Sequence, residues 1–527
     1  MSRRCGAEIV LTLVALLVWW GTYRDFGVTW DETPHVLMGE AARKYLFAGA
    51  AMPELQEDTI PKSEFYSPAL DVACAVLINR TGLAPFTVRH LVQGLLWVAM
   101  FWPVGRLGRR VAGPPGAWAA GLALLGLPVL LGHACNNPKD IPLASAAVWL
   151  LLASTWAAAA RRLTWRHALA LGAAFGCVLA ARPGAWFLAV VPGMVPGARL
   201  WWVGRLERRP VRAILLNSVW VLVVTLFLAW GMMIALWPQA HASPFLHPIR
   251  SALLARNYVE TYSVLFAGEL FQSNALPRSY LNLYLLLTTP IPMLLLAAWG
   301  QVVLARRAGR RARVRPAALM LAFVLWFPLG YFVVARPNVY DGMRHFLFVL
   351  PPLAVLAGVG AVSVGGWLAR RLGRWAALAP GLLLLEGVPA MVALHPYEAS
   401  YFNVLGGDHA TLHERFELDF WISSYREAAA WINQEQKQSP RVLTVAVAGN
   451  DFSLPAFVEF VDPEIRIVPE GIGRMPAAGL PGEIDYYVGT VRYDNWRKFP
   501  ERPIVHRVAR DGMLFTVIRG RPGQAEH

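Results

Sequence analysis

Long apolar runs recur along this sequence, and short Arg-rich stretches separate every second pair of them. A run that fills a bilayer must satisfy its own backbone hydrogen bonds, so it can only be a helix or a strand of a closed barrel, and runs this long read as helices. Eleven candidate spans fall near 7–22, 87–105, 114–132, 141–160, 167–181, 185–203, 213–236, 281–304, 316–335, 345–365 and 375–394. Ala69 to Asn79 is too short to cross and contains Asp71, so it reads as a helix lying in the interface. Composition agrees: 56% of the residues are hydrophobic and 16% charged, against roughly a quarter charged in soluble chains. Mean hydropathy is +0.42. The expected fold is a polytopic α-helical membrane domain over residues 1–395.

The net charge of +15 invites a nucleic-acid partner, but the basic residues are not arranged for one. They fall in clusters between spans with almost no aromatic interleaving: Arg3 and Arg4, Arg106 to Arg110, Arg161 to Arg166, Arg199 to Arg212, Arg306 to Arg315, and Arg370 to Arg374. That is the positive-inside pattern and makes this face cytoplasmic. Eleven crossings then place the N-terminus inside and everything after His395 outside. No small-x-small cleavage site precedes Tyr23-Arg24-Asp25, so the first span is expected to be retained. Cys5, Cys74, Cys135 and Cys177 are scattered without metal-ligand spacing, and neither a disulfide framework nor a metal site is expected.

From about Pro396 the composition becomes that of a soluble domain. Ser423 to Gln434 reads as a helix with Ser424 at its N-cap. Strands are expected at 441–447, 483–488, 504–508 and 513–519, the last pair joined by Arg510-Asp511-Gly512. A small extracytoplasmic α/β domain lies within 396–527. It carries no phosphate-binding glycine loop and no hydrolase nucleophile elbow.

Mixed polar residues gather on the outer face, and the spans carry almost no charge, Glu386 being the main exception. In the first outer loop (23–86), Thr29-Trp30-Asp31-Glu32-Thr33-Pro34-His35 puts two carboxylates where a span ends. Pro34 suits the first turn of a helix and Thr33 its N-cap, so a helix is expected from Pro34 to Phe47, with Asp31 and Glu32 against its positive end. Lys139, Arg182, Arg336, Arg344 and His345 share that face, as do His35, Tyr66, Asp140, Tyr340 and Asp341. An enzyme there has no reliable ATP or sugar nucleotide, so its donor must arrive through the membrane. A polyprenyl-phosphate sugar fits: a carboxylate takes the acceptor's proton, and fixed cations hold the departing phosphate without a metal. Plainer roles stand beside this one. Lys139 and Arg182 at span ends can snorkel to headgroups, Asp140 can cap the fourth span, and His345 can be an interfacial hydrogen-bonder.

The motifs together resemble the GT-C superfamily of integral-membrane glycosyltransferases, and within it a bacterial branch of family 39, the dolichyl-phosphate-mannose–protein mannosyltransferase group. The resemblance covers roughly residues 1–435. It rests on Trp30-Asp31-Glu32, on Asn137-Pro138-Lys139-Asp140 with Arg182-Pro183, on Tyr340-Asp341-Gly342-Met343-Arg344-His345, and on His395 to Asn403 with Arg415 to Trp421. It implies that Asp31 is the catalytic base, that Glu32 positions acceptor or donor, that transfer inverts the anomeric carbon, and that no metal or other cofactor is needed. Lys139, Arg182, Arg336, Arg344 and His345 become candidate phosphate contacts, and His35, Tyr66, Asp140, Tyr340 and Asp341 candidate substrate contacts. Tyr66-Ser67-Pro68 stands where related aminoarabinose transferases carry a Lys-Pro-Pro-like element, so the expected Lys is missing. The expected partners are a polyprenyl-phosphate sugar, membrane lipids, and a protein, lipid or glycan acceptor, at a bacterial inner membrane. Two readings from other classes are a transporter or lipid flippase, against which the uncharged spans argue, and a membrane scaffold of the cell envelope.

Overall fold

The computed structural model of the chain describes residues 5–51, 67–204, 210–256, 261–449, 453–470 and 484–521. Among the described residues, nine helices fill the first third of the chain: α1 (Gly6–Thr22), α2 (Glu32–Ala48), α3 (Ala69–Thr81), α4 (Pro85–Val98), α5 (Phe101–Ala112), α6 (Pro114–Leu125), α7 (Pro128–Gly132), α8 (Asp140–Ala158) and α9 (Trp165–Ala181). Among the described residues, eight helical segments are long and apolar enough to cross a membrane; they include Pro85–Ala112, Asp140–Ala158, Ile291–Arg310 and Arg344–Leu372. α1 and α9 are apolar but shorter, at 17 residues each. The chain is a multi-pass membrane protein.

Two expected spans are built differently. The run 114–132 is broken at Gly126, where a Cβ would lie 2.0 Å from the Leu384 carbonyl oxygen, and Pro128 then opens α7. The run 281–304 is broken at Thr288-Thr289-Pro290, and the crossing helix is Ile291–Arg310. Proline supplies no N–H and disfavours a helical residue before it, so both breaks have a local cause. Glu386 is also not the main charge within the spans. Glu8 in α1 is fully buried and makes a two-pronged ion pair with Arg109 of α5, at 2.7 and 2.6 Å.

Helices in lipid associate through close van der Waals packing at small residues. Ile291–Arg310 crosses Leu350–Leu372 in this way. A Cβ on Gly300 would sit 1.8 Å from the Leu356 carbonyl oxygen, and one on Gly360 would sit 2.0 Å from that of Leu296.

One helix start differs from expectation, and another falls where expected but is capped by a different side chain. α2 begins at Glu32 with Asp31 at the N-cap, and the Glu32 carboxylate reaches back to the Thr29 N–H at 3.0 Å. That bond lies outside the helix, so neither it nor the Thr33 hydroxyl caps α2. The helix Tyr425–Gln438 has Ser424 at its N-cap, but the Ser424 hydroxyl caps nothing either. Asp419 does that work, accepting from the N–H groups of Ser423 (2.9 Å) and Ser424 (3.0 Å).

The C-terminal domain holds a five-stranded sheet in the order β4-β3-β5-β7-β6, after a separate hairpin, β1 (Ser263–Phe266) with β2 (Glu269–Gln272). β3 (Thr444–Ala448) runs parallel to β4 (Arg466–Glu470) and to β5 (Tyr486–Thr490). β6 (Ile504–Arg510) and β7 (Met513–Arg519) form an antiparallel pair that joins β5. The Asp511-Gly512 turn, with φ values of 50° and 80°, is the left-handed pair that tight hairpins require. β4 and the hairpin β1–β2 were not expected from the sequence. The hairpin touches the C-terminal region through a bridge between Phe266 and Phe416.

Gly300→Ala is expected to lower the unfolding midpoint in detergent by several degrees, because the Leu356 backbone cannot yield to a Cβ. That corresponds to about 1–3 kcal/mol of overpacking. Thermal scanning with size-exclusion chromatography checks it, and an unchanged midpoint would contradict the packing described.

Candidate active site

Segments far apart in sequence converge on Asp31. Asp31 Oδ2 lies 2.9 Å from Lys139 Nζ and 3.0 Å from Arg344 Nη1, so one carboxylate oxygen is shared by two cations. Its side chain keeps 22% of its exposure, whereas those of Lys139 and Arg344 keep 10% and 1%. Burial alone would raise the Asp31 pKa; Lys139 and then Arg344 overcome that and hold it well below its ordinary 3.8.

Each member is set by local chain geometry. Lys139 precedes α8, where the Asn137 side chain accepts from the N–H groups of Lys139 (3.2 Å) and Asp140 (2.9 Å). Asn137 therefore caps the span, and Asp140 is released to pair with Arg182 at 2.9 Å. Arg344 follows a turn in which Asp341 and Gly342 are both left-handed, with φ of 59° and 65°. That turn folds the Asp341 carboxylate back onto Arg344 Nη2 at 2.9 Å. The Arg344 guanidinium also lies over the rings of Tyr340 (4.9 Å) and Trp421 (4.5 Å). Trp421 in turn donates to His133 Nδ1 at 3.0 Å. Burial, with Arg344 adding to it, pushes the His133 pKa down to about 3, which keeps the ring a neutral acceptor.

Other expected residues lie around this centre in different ways. Glu32 is fully buried and turned away from Asp31: it accepts from Thr29 and lies 3.3 Å from His90. His35, one helical turn after Asp31, places Nδ1 2.8 Å from Asp71 Oδ2, and the other Asp71 oxygen pairs with Arg89 at 2.9 Å. His345 packs edge-on against Tyr340, with ring centroids 5.0 Å apart. Arg336 is exposed, left-handed at the end of the helix Arg315–Ala335, and in no ion pair among the described residues. The geometry does not bring it into the Asp31 cluster. Tyr66 lies outside the described residues.

A residue that sequence reasoning missed completes the cluster. Arg492, from the C-terminal domain, pairs with Asp341 at 2.8 Å and stacks over Trp30 at 4.0 Å. Nothing local in the sequence marks it. Asp71 and Arg89 were also missed as site members, although an acidic residue in an otherwise apolar interfacial helix was a usable signal.

An apolar groove of about 1080 Å³ runs along α8 and α9 and is lined by Ala146, Trp149, Trp156 and Ala174 among others. Leu70, Pro142 and Ala181 line it too; they lie one or two residues from Asp71, Asp140 and Arg182. Arg106, Arg109 and Arg110 also line this groove.

No protein-family model matches this sequence, and no curated protein does. Solved structures do. ArnT from Cupriavidus metallidurans bound to undecaprenyl phosphate is 17% identical, with a TM-score of 0.52 over 98% of each chain. Its apo form is 16% identical, with the same TM-score and coverage. The apo oligosaccharyltransferase of Archaeoglobus fulgidus is 13% identical, with a TM-score of 0.50 over 93% of this chain and 70% of that one. Both are GT-C glycosyltransferases.

The fold is GT-C.

Within that GT-C frame the ArnT match extends through the C-terminal sheet domain as well as the helices, since it covers nearly the whole chain.

Beyond the cluster, His395 lies between Glu398 (2.6 Å) and Asp25 (3.2 Å), beside a small cavity that Arg426, Glu427 and Arg510 also line. Burial lowers its pKa, but the two carboxylates outweigh that and raise it above 6.5. A His stabilised in its charged form contributes fully below its unfolded pKa, and the contribution is lost as pH rises through the folded value. The unfolding midpoint should therefore fall by a few degrees as pH rises from 6 to above the folded pKa, and His395→Gln should flatten that slope. A slope unchanged in His395→Gln would contradict the assignment.

Proposed function

We propose that this chain is an inverting glycosyltransferase that moves a hexosyl or pentosyl group from a polyprenyl-phosphate donor to a hydroxyl-bearing protein, lipid or glycan acceptor. The reaction takes place on the extracytoplasmic face of a bacterial inner membrane. The observation that carries this reading is the single Asp31 oxygen shared by Lys139 and Arg344, close to the end of an apolar groove. A base and phosphate-binding cations must lie within one reacting group's length of each other, and these do.

Asp31 takes the proton from the acceptor hydroxyl. The acceptor oxygen attacks the anomeric carbon from the face opposite the phosphate, the bond from carbon to phosphate oxygen breaks, and polyprenyl phosphate leaves. Lys139 and Arg344 neutralise the charge that builds on the departing oxygen. A carboxylate held so far below its ordinary pKa is a weak base. A phosphate that shares the two cations would weaken their hold on Asp31 and raise its basicity at the moment the donor is bound. The isoprenoid tail fits the groove, whose wall along α8 is small and apolar. Arg182, fixed by Asp140, stands at the same end. His35, oriented by Asp71, offers its second ring nitrogen to a sugar or acceptor hydroxyl. The Arg clusters on the opposite loop face set the orientation, with the N-terminus cytoplasmic and the C-terminal domain outside.

The family-39 resemblance of the Trp30-Asp31-Glu32 motif and the undecaprenyl phosphate bound by ArnT support this donor class. Asp31→Asn should reduce transfer about 10²–10⁴-fold in purified protein, measured as release of polyprenyl phosphate from a labelled lipid-linked sugar, and should leave the elution profile unchanged. Near-normal release would overturn the reading. Because protein cations supply the countercharge, transfer should survive dialysis against EDTA; loss that added divalent metal restores would contradict a metal-free mechanism.

A further inference from the structure

Arg492 lies in a loop that follows β5 in the C-terminal domain, yet its side chain is 2% exposed and buried against the membrane domain's site. Its guanidinium makes three kinds of contact there. It pairs with Asp341 at 2.8 Å, stacks on Trp30 at 4.0 Å, and donates to the Phe420 carbonyl oxygen at 2.5 Å. Each of these neighbours leads to a member of the proposed machinery. Trp30 precedes Asp31. Asp341 holds Arg344 at 2.9 Å, and Phe420 precedes Trp421, over which Arg344 stacks.

The charges alternate in sign along one line: Lys139, Asp31, Arg344, Asp341, Arg492. Glu417 adjoins its inner end. Burial raises the Glu417 pKa, Arg492 opposes that, and Asp341 adds to it. Removing one charge from such a line leaves a buried partner uncompensated, so each holds the next.

The loop is also strained. Tyr493 and Asp494, directly after Arg492, both adopt left-handed backbone at φ 55° and 56°, which neither glycine nor asparagine relieves. Backbone of this kind persists where the surroundings over-determine it, and it clusters at functional sites. Here the Tyr493 hydroxyl accepts from Arg492 Nη2 at 3.1 Å, so the strained loop braces the guanidinium it presents.

We infer that Arg492 is a positioning residue for donor phosphate: acting through Asp341, it sets the place of Arg344, so the C-terminal domain is part of the phosphate-binding unit. The inference rests on the glycosyltransferase reading above. Its test therefore uses binding of undecaprenyl phosphate to the full-length protein, which depends on neither sugar nor acceptor.

Arg492→Gln should weaken undecaprenyl phosphate binding about tenfold, and Arg492→Lys, which keeps the charge but not the fork, should restore part of it. In an Arg344→Gln background, Arg492→Gln should add little further loss, because the residue through which it acts is gone. Equal losses in both backgrounds would show a general structural role and overturn the inference. If Arg492→Gln is not monodisperse, the paired variant Asp341→Asn with Arg492→Gln removes both buried charges and should still bind weakly; wild-type affinity in that variant would also overturn it. Failure of the wild-type chain to bind undecaprenyl phosphate at all would instead sink the donor assignment.

Discussion

One carboxylate oxygen shared by two cations is the constraint on which the rest of the site depends. Asp31 Oδ2 accepts Lys139 from the start of one span and Arg344 from the start of another. Three charges cannot be gathered at low exposure unless each is paired, because unpaired burial costs several kcal/mol per ion. The surrounding structure supplies the pairing. Asp341 holds the other side of Arg344, Arg492 holds Asp341, and Asn137 frees Asp140 to hold Arg182.

That requirement explains why loops far apart in sequence interlock so tightly on this face. Gly27 lies where a Cβ would fall 2.2 Å from the Ser423 carbonyl oxygen, and Gly132 where one would fall 2.0 Å from the Ala399 N–H nitrogen. Thr29 donates to the Asn136 carbonyl oxygen at 3.1 Å. These close approaches lock the Asp31 loop to the segment before α8 and to the chain that enters the C-terminal domain. The domain is therefore seated on the site by backbone contact as well as by Arg492. The polar residues gather at one end of the helices while most of the helical surface stays apolar, as the proposed lipid-linked donor would require. A transporter would instead bring ionisable groups to mid-membrane. The buried Glu8–Arg109 pair sits near the Arg-cluster end of α1 and α5 and ties those helices together.

Much of the helical domain was legible because hydrophobic runs and Arg clusters are local signals, each read within about twenty residues. The breaks were missed although Pro128 and Pro290 mark them locally, because apolar composition runs straight through both; at Gly126 the close approach of the Leu384 carbonyl is visible only in the packing. Helix capping was only partly legible. Thr33 is a good capping residue by type, yet Asp31 takes the N-cap of α2; Ser424 does stand at its N-cap, but the capping bonds come from Asp419. Glu32 shows the limit for the site itself: adjacent to Asp31 in sequence, it is fully buried and faces the other way.

The sequence by itself determined the class of molecule, and it singled out the carboxylate at the end of the first span and the loops from which its cations come. These follow from composition and from periodicities no longer than one helix. Tertiary structure alone decided which cations touch Asp31, that Arg336 stands outside the cluster, and that Arg492 belongs to it. The Asp31–Arg344 contact joins positions 313 residues apart, and no local pattern encodes a pairing at that separation. Only the packing of the helices, which brings their polar ends within hydrogen-bond reach, can select one Arg from the many this chain carries.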